Sequence, residues 1–144
     1  MEITLTVALL RLGVSLLLGA AIGFERKIHK HPAGARTFMI ICLGATLATL
    51  ASIYICQTNP DLHNGDPGRI AAQILTGIGF IGAGLILKTH DGVSGLTTAT
   101  CIFMAAAIGV AVGVGMLVVS AVVTVVVISI LWTPYLVNKP TDSQ

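Results

Sequence analysis

The sequence predicts an all-α, polytopic membrane protein of five transmembrane helices, and three observations carry that expectation. Hydrophobic residues make up 55% of the 144 positions, and Asp, Glu, Lys and Arg only 10%, against roughly 25% charged in a soluble domain. Mean hydropathy is +0.94, so too few charges exist to cover a soluble surface, and a disordered chain is excluded by the same figures. The apolar residues fall into stretches of membrane-crossing length, and the basic residues collect in alternate connections between them. The net charge of +2 is too small and scattered for a nucleic-acid footprint; the partner that composition implies is the lipid bilayer.

A crossing helix needs roughly 20 apolar residues at about 1.5 Å each. The first span covers about residues 3–24, with Arg11 inside it, the second 37–56 and the third 70–87. From 92 to 138 there is no acid or base, too long for one crossing. Gly113-Val114-Gly115 is the plausible break, since glycine adopts turn dihedrals at little cost. Spans four (96–112) and five (116–136) follow. The transmembrane domain is placed at 1–137, with a short cytoplasmic tail at 138–144. Glu2 and Arg11 argue against a cleaved signal peptide.

Orientation rests on the basic residues. Arg26, Lys27, Lys30 and Arg36 lie in the first connection, Lys88 in the third and Lys139 in the tail; the second has Asp61, Asp66 and one base, Arg69. The expected topology has the N-terminus outside and the C-terminus cytoplasmic.

Small residues at four-residue spacing let helices in lipid approach closely. Such stripes read Arg11, Ser15, Gly19, Gly23 in span one and Gly44, Ala48, Ser52, Cys56 in span two. Span three has Ala72, Thr76, Gly79, Ala83, and span four Thr97, Cys101, Ala105, Gly109, Gly113. Span five has none, only Ser120, Thr124 and Ser129 in a Val- and Ile-rich run. A four-helix core with a peripheral fifth helix is expected. Cys42, Cys56 and Cys101 lack metal-ligand spacing and read as packing residues.

Several residues are candidates for interaction with a partner or an ion. Arg11 lies inside a span, where a charge is either functional or tied down to carbonyls or headgroups; Asp66 is the nearest acid. Glu25 and Arg26 close span one and Arg36 opens span two. A Glu25–Arg36 bridge would fix this hairpin and relieve a base at a helix N-terminus; the alternative is a cytoplasmic-mouth site for a lipid phosphate, ion or partner. Asp66-Pro67 is a helix-start signal. Arg69 and Gln73 share a face directed into the bundle. Gly77, Gly79 and Gly82 match G-x-G-x-x-G and Gly84 adds a fourth glycine, but no strand precedes them and no acid follows at about 20 residues, so a dinucleotide site is rejected. They mark either tight packing or a discontinuous helix that binds an ion. His29, His31, His63 and His90 read as interfacial loop residues. No catalytic constellation, metal site or cofactor is expected, and the chain reads as a non-enzyme.

Gly23-Phe24-Glu25-Arg26, Ala33-Gly34-Ala35-Arg36-Thr37, Asp66-Pro67-Gly68-Arg69-Ile70-Ala71-Ala72-Gln73, the run from Gly77 to Gly84, and Gly95-Leu96-Thr97-Thr98-Ala99 together resemble the MgtC/SapB family over about residues 10–115. The resemblance implies a bacterial cytoplasmic-membrane protein linked to growth at low magnesium and, in pathogens, to virulence. It also implies regulation through the membrane ATP synthase, or Mg²⁺ transport, and adds Thr97 and Thr98 to the candidates. Family members commonly carry a cytosolic C-terminal domain, whose roles are not carried over, and a Trp where this chain has Ile102-Phe103-Met104. The favoured function is a regulator that docks its helices on another membrane protein, with a homo-oligomer as a further expectation. The alternative is a small transporter or channel for Mg²⁺ or another ion. Mg²⁺ seeks carboxylate or carbonyl oxygens, which the spans supply poorly.

Overall fold

The computed structural model describes residues 4–58, 66, 68–89 and 92–137, with side chains as far as Thr133. Asp61, His63, Pro67, His90, Lys139 and the tail at 138–144 lie outside the described residues. Five helices form: α1 (Leu5–Ile28), α2 (Ala35–Thr58), α3 (Gly68–Leu85), α4 (Leu96–Val114) and α5 (Leu117–Val137). α1 to α4 are each long and apolar enough to cross a membrane, and α5 contributes a shorter apolar stretch, Leu117–Thr133.

The helix ends follow local chemistry. Asp66 precedes α3 and accepts the Gly68 N–H on Oδ1 at 2.8 Å, satisfying one of the amides a helix N-terminus leaves open. α4 stops at Gly115, whose φ of 101° is left-handed. There the Met116 N–H reaches the Ala111 carbonyl at 2.9 Å and the Gly115 N–H reaches Val112 at 3.0 Å, the paired closure of a glycine-terminated helix. The expected break between spans four and five is thus two residues, Gly115 and Met116.

The sequence reading missed one element. Between α3 and α4 lies a short antiparallel hairpin, β1 (Leu87–Thr89) and β2 (Gly92–Ser94), with Lys88 opposite Val93. The Asp91-Gly92 step is the turn signal that should have revealed it. A Cβ on Gly95 (φ 83°) would overlap the Leu85 carbonyl, so glycine lets the hairpin close against the end of α3.

α1, α2 and α4 make the centre. Ile22, Phe38, Cys42, Ile102, Ala105, Ile108 and Val112 are buried there. Glycines set the approach: a Cβ on Gly19 would lie 2.7 Å from the Phe38 carbonyl, and one on Gly109 2.5 Å from that of Cys42. A Cβ on Gly113 would lie 2.6 Å from Thr49 Cβ, and one on Gly23 would collide with the Ala35 backbone. Two side chains of α2 bond across to α4: Thr46 Oγ1 donates to the Gly109 carbonyl at 2.8 Å, and Cys42 Sγ to that of Ala105 at 3.0 Å.

The expected core assignment needs correction in three places. α3 buries only Gly82, which faces Ala99 of α4, and a Cβ on Gly77, Gly79 or Gly84 would meet nothing within 4 Å. α3 therefore lies at the rim together with α5, which buries Ser120, Thr124 and Leu131 but leaves Val118, Val122, Val125 and Ile130 exposed as expected of a peripheral helix. The reason is that a small-residue stripe permits close approach but attracts nothing unless a matching face arrives. In α2 the buried face carries Cys42, Ala45, Thr46, Thr49 and Ser52, while Gly44 is exposed; interhelical hydrogen bonding, absent from a size criterion, selects that face. Finally, α3 is continuous through its glycines, so the discontinuous-helix alternative falls.

Candidate functional site

Arg11 is 8% exposed, and its Nη1 donates to the Gly113 carbonyl at 2.7 Å. A Cβ on Gly115 would lie 2.7 Å from Arg11 Nη2, so the guanidinium lies over the glycine that ends α4. The negative end of the α4 dipole and an open carbonyl of its last turn stabilise the charge. Of the two readings of Arg11, the contact observed is the tie to carbonyls, and among the described residues no acid takes part in it.

At the opposite end of α1 the expected Glu25–Arg36 bridge does not form. Glu25 pairs with its neighbour Arg26, with Nε to Oε2 at 2.6 Å and Nη2 to Oε1 at 3.2 Å. His29 Nδ1 lies 2.9 Å from Glu25 Oε1, and the His29 ring meets Trp132 of α5 edge-on at 6.3 Å. Glu25 and Arg26 are 4% and 2% exposed. Buried charges need partners at close range, and Arg36, on the exposed start of α2, points away from that requirement. His29 is the residue the sequence reading passed over. Its position four after Glu25, on the same helical face, was the available signal.

The turn from α1 to α2 holds a cleft of about 410 Å³ lined by Lys27, His31, Pro32, Gly34, Ala35, Arg36 and Thr37. Gly23 creates it, because the close crossing with Ala35 brings the last turn of α1 beside the first turn of α2. Lys30 holds φ 57° to turn the chain. Burial, followed by the positive charge of Arg26, lowers the His31 pKa from its ordinary 6.5.

The remaining candidates are dispersed. Arg69 and Gln73 are exposed, so they do not point into the bundle of this chain. Gln73 and Gly77 instead line a groove of about 370 Å³ between α2 and α3, together with Ile40, Gly44 and Ile81. Thr98 is buried. Thr97 is exposed and borders an apolar groove of about 380 Å³ between α4 and α5, with Met104 and Val126. Among the described residues no group of three or more His, Cys, Asp or Glu could hold a metal ion.

Comparison with known proteins agrees with the motifs. The MgtC family profile matches residues 12–139. Protein SapB of Bacillus subtilis is 39% identical over 135 residues, covering 91% of this chain and 58% of its own length. Protein MgtC of Salmonella typhimurium is 45% identical over 107 residues, or 74% of this chain and 43% of its own. YhiD of Escherichia coli, provisionally named a magnesium transporter, is 44% identical over 110 residues, or 75% and 51%. The chain thus spans about half the length of the curated relatives it matches. No solved structure matches. With a family profile covering nearly the whole chain and relatives from several bacteria matching most of its length, this multi-pass membrane protein belongs to the MgtC family.

Proposed function

We propose that the chain is a non-catalytic regulator in the bacterial cytoplasmic membrane, acting in magnesium-related physiology by docking its helices on another membrane protein. The observation that carries this reading is α3, a helix long enough to cross the membrane that buries only Gly82 within its own chain. Its face at Gly77, Gly79 and Gly84 is open, and close helix approach in lipid uses such faces. The name of YhiD, provisionally that of a magnesium transporter, supports the magnesium link. The membrane sector of the ATP synthase is the partner to test first. Affinity purification from membranes should retain it with the wild-type chain and lose it with Gly77→Leu/Gly84→Leu. Equal recovery with both would overturn the α3 reading.

The name of YhiD favours a second reading, ion transport. Within the described helices the one carboxylate is Glu25, already held by Arg26 and His29, and Arg11 faces a carbonyl. This arrangement offers a dication little, which supports the regulatory reading. Mg²⁺ flux into liposomes containing the purified chain decides between them: flux above that of empty liposomes would establish transport.

A further inference from the structure

We propose that the cleft between the end of α1 and the start of α2 is a binding site for a phosphate group. Its wall brings together Lys27, His31 and Arg36, with the Thr37 hydroxyl beside them, and no acid among the described residues lines it. At about 410 Å³ it falls within the size of small-ligand sites. The nearby acid is unavailable: Glu25 is buried and engaged by Arg26 and His29, while Lys27 and Arg36 are exposed and form no ion pair among the described residues.

Two further features add to the positive field. Arg36 stands in the first turn of a 24-residue helix with no acidic residue in that turn, where a cation opposes the dipole. The Thr37 and Phe38 N–H groups reach the Gly34 carbonyl at 3.1 and 3.3 Å, whereas those of Ala35 and Arg36 have no acceptor among the described residues. An anion in the cleft offsets the Arg36–dipole conflict and the Lys27–Arg36 repulsion together. Arg36 supplies a planar fork and Lys27 a point charge, the two ways side chains hold phosphate oxygens.

The phosphate can come from an anionic phospholipid headgroup, as in basic pockets between transmembrane helices, or from a soluble phosphate compound. The full chain, purified in neutral detergent, is titrated with phosphatidylglycerol, with phosphatidylcholine and with inorganic phosphate. The thermal midpoint is followed, and bound lipid is counted by native mass spectrometry. Phosphatidylglycerol or inorganic phosphate should raise the midpoint saturably and phosphatidylcholine should not. A response to the lipid alone assigns a headgroup site, and a response to inorganic phosphate assigns a soluble ligand.

Lys27→Gln and Arg36→Gln should each weaken that response about tenfold, as loss of a hydrogen bond to a charged group does. Arg69→Gln, an equal charge change beyond α2 at the start of α3, should leave it intact. The site is overturned if neither anion shifts the wild-type midpoint, a result that needs no variant to fold. It is equally overturned if Arg69→Gln weakens binding as much as Arg36→Gln.

Discussion

Arg11 shows how one contact changes the meaning of a residue. A charge inside a span suggests a partner carboxylate, but here its hydrogen bond to Gly113 fastens α1 to the last turn of α4. Arg11→Met should lower stability in detergent by about 2 kcal/mol, the scale of a hydrogen bond to a charged group, and leave partner recovery unchanged. Thermal unfolding and co-purification on the same variant check both halves. Glu25 makes the complementary case. A double-mutant cycle should show coupling of Glu25 with Arg26 and additivity with Arg36, and Glu25→Gln alone should cost about 3 kcal/mol or more. His31 adds a pH dependence. Its lowered pKa means that the folded state favours the neutral ring, so this contribution is intact above the ordinary value of 6.5 and is lost as pH falls below it. His31→Gln should remove that part of the acid sensitivity, seen as a smaller difference between midpoints measured above and below that pH.

At the scale of elements, glycines that look alike in sequence do different work. Gly109 and Gly79 both sit in small-residue stripes, yet a Cβ at Gly109 meets Cys42 and Ala45 while one at Gly79 meets nothing within 4 Å. Gly109→Ala should therefore destabilise the chain by about 1–3 kcal/mol through overpacking. Gly79→Ala should be neutral or stabilising by up to about 1 kcal/mol, because Ala is the better helix former. Thermal midpoints of the two variants in one detergent test the contrast, and equal losses would contradict the rim position of α3. The α2–α4 seam adds two polar bonds across the interface. Thr46→Val should cost about 0.6 kcal/mol, typical for a hydrogen bond between helices in a membrane.

At the scale of the molecule, Arg11, the glycine seams and the Glu25 cluster join α1 to α4, α2 and α5 in turn. That leaves α3 and the first connection facing outward, where the proposed docking face and phosphate site lie. The basic residues of alternate connections predict the topology: a reporter at Lys30 or after Gln144 should read cytoplasmic and one at Asn64 external. An external C-terminus would overturn the five-span arrangement.

Hydropathy and length alone determined the class, the number of helices and their bounds to within about four residues, because helix formation in lipid is dictated by apolar length and backbone satisfaction within the segment. The stripes of α1 and α4 were legible too, as Gly19, Gly23, Gly109 and Gly113 lie on the faces that meet. That α3 also stands at the rim was not legible, since α3 and α4 carry similar stripes and only docking distinguishes a filled face from an open one. Nor was the partner of Glu25. Sequence distance and helix-dipole reasoning favour Arg36, but tertiary packing buries Arg26 beside it and turns Arg36 outward, and a buried charge takes the partner that is buried with it.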